Sequence, residues 1–226
     1  MNFERIQEKK LKYEQNKHKI SAVTLSSYEK DFEITFTHNS TAIEGNTLTL
    51  METKVVLEDG ITIGGKEIRE IHEVINHKKA YGYVKKCIAK KKPLDENVVK
   101  DLHATLTENI IVGGIYRKEE VRISGAEFTP PAGNEMYIQI KNFYEDLKIK
   151  KNELNPIELA AWTHAEFVRI HPYIDGNGRT SRLIMNYQLL SYGYLPVSVA
   201  KEKRLDYYNV LEQYAVKGNL SPFVDF

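Results

Sequence analysis

A chain of 226 residues, 28% charged and 42% hydrophobic, is long enough to bury a sizeable core and has the balance of an ordinary globular protein. Its 32 basic and 31 acidic residues leave a net charge of +1, which excludes a global field drawing it onto nucleic acid or an anionic membrane. The lone cysteine, Cys87, excludes an internal disulfide and reads as a small buried hydrophobe in KKCIAKKK.

In chain order, residues 2–19 are charged with sparse apolar positions, an exposed helix. They lack an apolar signal-peptide core, and no run of the chain approaches a membrane span, so a cytoplasmic location is expected. SSYEKDFEITFTHNSTAIEG opens on Ser26 at a cap position, carries Tyr28, Phe32 and Phe36 at i+4 intervals, and closes on Gly45. Further helices are expected at about 49–59, 66–91, 95–109, 134–150, 156–171, 178–192 and 203–217, with Pro93, Pro156 and Gly193 as punctuation. His72 and His77 are five apart, the wrong spacing for a metal pair on one helix face. The lysines from Lys85 to Lys92 suit a helix C-terminus better than nucleic acid.

GIYRKEEVRISGAEFTPPAG departs from the helical rule. Its alternating Val121, Arg122, Ile123 and Ser124, then Gly125, read as a short β-hairpin. The expected fold is therefore mainly α with one hairpin, in a single domain spanning 1–226. The final SPFVDF has Ser and Pro in helix-starting positions and little chain left to follow. Either it docks as a stub or the native chain continues past Phe226, and the second is the expectation favoured.

The densest chemistry lies in HPYIDGNGRTSR, His171 to Arg182. Before it, Ala160, His164, Phe167, Val168 and His171 share a helical face; after it, Leu183, Ile184, Tyr187 and Leu190 do. The stretch is thus helix, glycine-rich turn, helix. Gly176 and Gly178 let backbone N–H groups converge with those opening the next helix, a nest that binds anions. Arg179 and Arg182 oppose the dipole in that first turn, so they make more sense as phosphate contacts than as helix stabilisers. Asp175 can hold Mg²⁺, and His171 is left as a base.

That stretch resembles the Fic family pattern HxFx(D/E)GNGRxxR, with Tyr173 in place of the usual Phe. GIYR and the hairpin resemble the family's flap, and DYYNVLEQYAVKGNLSPFVDF, with Tyr207 and Tyr208, resembles the segment closing its nucleotide pocket. Ala215 stands where relatives often carry Asn on the adenine side. The resemblance implies a Fic-type helical bundle and AMP transfer from ATP to a Ser, Thr or Tyr hydroxyl of a protein, itself included, releasing pyrophosphate. It gives His171 as general base, Asp175 as the Mg²⁺ ligand, and Asn177 with Gly176 and Gly178 at the α-phosphorus. Arg179 would hold the β-phosphate and Arg182 the γ-phosphate. Val121 to Ser124 would pair with an extended target segment by β-augmentation. A homodimer is compatible with the sequence.

Glu44 closes its helix just before Gly45, where the dipole disfavours a negative charge. Ser40, Glu44 and Gly45 fit the family's inhibitory pattern (S/T)xxxE(G/N), within a segment at about 24–46. The resemblance implies that Glu44 reaches Arg182 and takes the place of the γ-phosphate. Two alternatives stay open: a hydrolase that uses Glu44 to remove AMP from modified proteins, and a nucleotide-binding regulator without turnover.

Overall fold

Asn155-Pro156-Ile157-Glu158 starts the helix that carries the candidate base. The Asn155 side chain accepts from the Ile157 and Glu158 N–H groups, Glu158 reaches back, and Pro156 needs no donor partner there. This is one of ten α-helices that a computed structural model describes over residues 3–226. They are α1 (Phe3–Asn16), α2 (Ala22–Ile43), α3 (Leu50–Glu58), α4 (Ile68–Ala89) and α5 (Glu96–Leu106), then α6 (Gly133–Glu153), α7 (Pro156–Ile170), α8 (Asn177–Ser191), α9 (Arg204–Lys217) and α10 (Ser221–Asp225). The expected start of the first helix at residue 2 lies outside the described residues.

α7 and α8 form the centre, and α4, α5, α6 and α9 pack around them. Their core includes Phe143, Trp162, Phe167, Leu183, Ile184 and Tyr187, with Phe143 and Trp162 stacked at 5.4 Å. α8 is buried along most of its length, which is why its sequence lacks a polar stripe. α2 packs across α4 and α8, so its C-terminus reaches the start of α8. A smaller cluster of Leu48, Val56, Ile71 and Val74 seats α3 against α4. Cys87 is buried, as its sequence context indicates.

Two expectations change. α2 begins five residues earlier than its sequence signal, because the cap is Ser21, which accepts from the Thr24 N–H, and not Ser26. The hairpin does not form: among the described residues there is no strand. Gly125 turns the chain (φ 82°), but the Phe128 N–H donates to Glu212 Oε1 at 2.7 Å instead of to a carbonyl across the turn. Arg117 gathers the two limbs from below, donating to the carbonyls of Glu119 and Pro131 at 2.6 Å each. Without a ladder the limbs form no strands. In the last described element, α10 buries Phe223 beside His164 at 4.8 Å, so packing supplies what so short a helix lacks alone. No described helix is long and apolar enough to cross a membrane.

Candidate active site

α7 stops because His171 turns left-handed (φ 53°, ψ 57°), while its N–H still donates to the Phe167 carbonyl. The loop that follows is held from both sides. Tyr173 is fully buried and stacks on His103 at 3.6 Å. It packs as a Phe would, although its hydroxyl has no partner. His103 Nε2 faces the Asp175 carbonyl at 2.8 Å, while Nδ1 accepts from the Gly114 N–H, so the ring is neutral and protonated at Nε2. Burial pushes its pKa down to about 4, which keeps that arrangement at neutral pH. Gly176 is required here: it adopts φ 80°, and a side chain would press on the His103 ring.

His171 Nδ1 lies 3.3 Å from the Val168 carbonyl. An acceptor there calls for Nδ1–H, which leaves the Nε2 lone pair for a proton from outside. Burial lowers the His171 pKa, so the imidazole is neutral at pH 7. Arg117 fixes the same residue, donating from Nε to the His171 carbonyl at 2.7 Å and from its backbone to Pro172 at 2.9 Å.

Asp175 sits one turn before Arg179 and pairs with it at 3.2 Å, while Arg69 of α4 holds the other oxygen. Burial opposes its ionisation. Arg179, the Gly176 N–H and Arg69 outweigh that and hold the carboxyl below its usual range. Among the described residues there is no cluster of three or more His, Cys, Asp or Glu that could hold a metal alone. One ionised carboxylate at the edge of an anion nest still fits Mg²⁺, which completes its shell with water and phosphate oxygens.

The arginines are both 1% exposed, yet they differ. Arg179 has Nε and Nη1 buried without a hydrogen-bond acceptor, although Glu73 lies 3.4 Å from Nη1. Every nitrogen of Arg182 has a partner. Its Nε donates to Ser40 Oγ at 2.9 Å, Nη2 to the Ser40 carbonyl and Glu44 Oε1 at 2.7 Å each, and Nη1 to the Tyr207 hydroxyl at 3.2 Å. Glu44 is the C-cap of α2, and Gly45 leaves at φ 104°. Its carboxylate lies over the first turn of α8: a Cβ on Gly178 would come within 2.2 Å of Glu44 Oε1. A carboxylate of the same chain thus already lies beside Arg182 and over this first turn.

Other expected residues take different places. Asn177 commits both ends of its amide to the Tyr173 backbone, at 2.9 and 2.8 Å, and so braces the loop. Tyr207 is buried against Arg182 and His164, and burial pushes its pKa up to about 12. Tyr208 is 38% exposed and donates to the Ile43 carbonyl at 3.1 Å. Val121 and Arg122, but not Ile123 or Ser124, edge a groove of about 550 Å³ that Phe128, Pro130, Gln139 and Arg169 complete. Sequence reasoning missed Arg69, Glu73, His103, Arg117 and His164. Only Arg117 had a local signal, inside GIYR; the others gain their roles from contacts across distant elements.

Residues 93–189 match the Fic/DOC family. The chain is 36% identical over 192 residues to a protein adenylyltransferase Fic of Drosophila grimshawi, covering 84% of this chain and 39% of that protein. It thus spans about two fifths of the length of the curated relatives it matches. A Fic domain-containing signalling protein from Bacteroides thetaiotaomicron superposes with a TM-score of 0.82 at 30% identity, over 89% of this chain and 83% of that one. A Fic-1 fragment from C. elegans gives a TM-score of 0.82 at 30% identity, over 99% and 68%.

Proposed function

The chain belongs to the Fic/DOC family, and from that membership we propose that it is a self-inhibited protein adenylyltransferase, moving AMP from ATP to a protein hydroxyl. The observation that carries this reading is Arg179, a buried guanidinium with two nitrogens that lack a hydrogen-bond acceptor beside a backbone nest. Burying such donors without acceptors costs about 1–3 kcal/mol each, a cost that an incoming phosphate oxygen removes.

His171 Nε2 accepts the proton of the target hydroxyl as its oxygen attacks the α-phosphorus. The α–β P–O bond breaks and pyrophosphate leaves. Arg179 holds the β-phosphate, and Arg182 the γ-phosphate once Glu44 has withdrawn. The N–H groups around Gly176 and Gly178 face the charge that develops at the α-phosphoryl group. Asp175, ionised and one-third exposed, would hold Mg²⁺ after releasing Arg69. When bound, that ion screens the phosphate charges. Val121 to Ser124, which belong to no strand, would receive the target by offering backbone groups to an extended segment beside His171.

Inhibition rests on Glu44. With Arg182 at 2.7 Å and the nest beneath, its carboxylate competes with the γ-phosphate, and α2 belongs to the same unit as the site it blocks. Labelled ATP tests the reading. Glu44→Gly protein should label itself strongly, wild type faintly, and the Glu44→Gly/His171→Ala double variant not at all. Labelling that survives loss of His171 would overturn it.

A further inference from the structure

Arg182 is held by three contacts from α2, through Ser40 and Glu44, and by one from elsewhere, the Tyr207 hydroxyl of α9. If inhibition is relieved, Glu44 lets go, and the Tyr207 bond remains independent of the inhibitory helix. The protons around that bond can be assigned from chemistry alone. A guanidinium only donates, so Tyr207 Oη accepts from Arg182 Nη1. The Tyr207 proton then needs an acceptor, and His164 Nε2 lies 2.9 Å away.

Ser181 Oγ is also within 3.2 Å of Nε2, but its one proton goes to the Gly178 carbonyl at 2.7 Å, so it does not compete for the lone pair. His164 must therefore be neutral and protonated at Nδ1. That nitrogen is buried without a partner, an oddity the assignment accounts for: its N–H is left orphaned so that Nε2 can accept. Burial and the nearby Arg182 charge both oppose protonation of the ring. His164 is fully buried, and it meets Tyr207 edge-on at 5.6 Å.

We propose that His164 and Tyr207 are positioning residues for Arg182: His164 fixes the direction of the Tyr207 hydroxyl, whose lone pair then aims the guanidinium at the γ-phosphate. This rests on the reading of Arg182 given above. It also revises the place of Tyr207, which braces the phosphate arginine from behind and does not line the nucleotide pocket.

The Glu44→Gly protein is the background for the test, so that the site is open. Calorimetry with ATP and ADP should show Tyr207→Phe weakening ATP on the order of tenfold, the size of one lost hydrogen bond to a charged group, with ADP unchanged. His164→Leu should do the same, and His164→Gln, which restores an acceptor, should recover much of the ATP preference. In an Arg182→Ala background Tyr207→Phe should add nothing.

Equal losses for ATP and ADP would mean that Tyr207 touches the nucleotide or merely supports the fold, and would overturn the proposal. If Arg182→Ala itself leaves the ATP preference intact, the γ-phosphate reading fails first and the brace with it. A nucleotide-free readout separates the two. Imidazole ¹⁵N–¹H spectra between about pH 5 and 8 should show His164 as the neutral Nδ1–H tautomer. An Nε2–H tautomer or an imidazolium there would reverse the Tyr207 hydroxyl and end the proposal, whatever Arg182 binds.

Discussion

Arg179 and Arg182 stand one turn apart on the same helix, equally buried, and their surroundings are opposite. Around Arg179 the site is prepared but incomplete: two guanidinium nitrogens lack acceptors, His171 Nε2 is open, and Asp175 is held ionised. Around Arg182 every nitrogen is answered, and Glu44 supplies the negative charge. Under the proposed function, one half of the site awaits a ligand and the other holds a substitute for one. The contrast then shows how a chain folded for catalysis would stay idle: blocking one anchor would be enough, with the other half undisturbed.

The largest expected effect is at the prepared half. In the Glu44→Gly background His171→Ala should lower the rate of AMP transfer by about 10²–10⁴-fold, while calorimetry finds ATP binding nearly unchanged. Retained transfer would show that the open Nε2 is not the base. The next effect is at the substituted half. Glu44→Gly should tighten ATP by roughly 1.5–3 kcal/mol and leave ADP alone, since ADP has no γ-phosphate to compete. Equal gains for both nucleotides would mean that α2 blocks the whole pocket, and the contrast between the halves would collapse.

Stability should separate the arginines too. Arg182→Ala strands Tyr207, Ser40 and Glu44, and denaturant unfolding should show a loss of about 1–3 kcal/mol. Arg179→Ala takes one arginine from Asp175 and from Glu73 but leaves Arg69 beside each, so it should cost less, while weakening ATP and ADP alike. A larger loss for Arg179 would reverse the assignment of which half is satisfied.

The smallest effect per group comes from pH. His77, His103 and His164 all have lowered pKa values, with burial as the first cause. The native state therefore stays unprotonated where the unfolded chain takes up protons. Stability should fall as pH drops below about 6.5, each histidine contributing up to about 1.4 kcal/mol per pH unit until its folded pKa is reached. Denaturation curves at pH 7.5 and 5.5 would check the sign. A more stable protein at pH 5.5 would mean that these rings are charged inside, and the proton assignment at His164 would fail with them.

Much of this molecule was determined locally. The helices follow from apolar periodicity and caps, Asn155-Pro156 for α7 among them. The turn before α8 follows from Gly176, because a left-handed residue before a helix is favoured by its own lack of a side chain. Glu44 stood out because a carboxylate at a helix C-terminus is disfavoured by the helix it ends, a conflict visible within one segment. What the sequence could not decide was set by partners far along the chain. Ser40 and Arg182 are 142 residues apart, and which nitrogen Ser40 meets depends on how α2 crosses α8. The hairpin failed for the same reason in reverse: alternation promised a ladder, but Glu212, 84 residues away, took the Phe128 N–H. His164 read as one more residue on an apolar helical face. Only the packing of α9 and α10 against α7 put a tyrosine hydroxyl on its ring and an arginine behind that, because proton direction is a property of neighbours in space and not of neighbours in sequence.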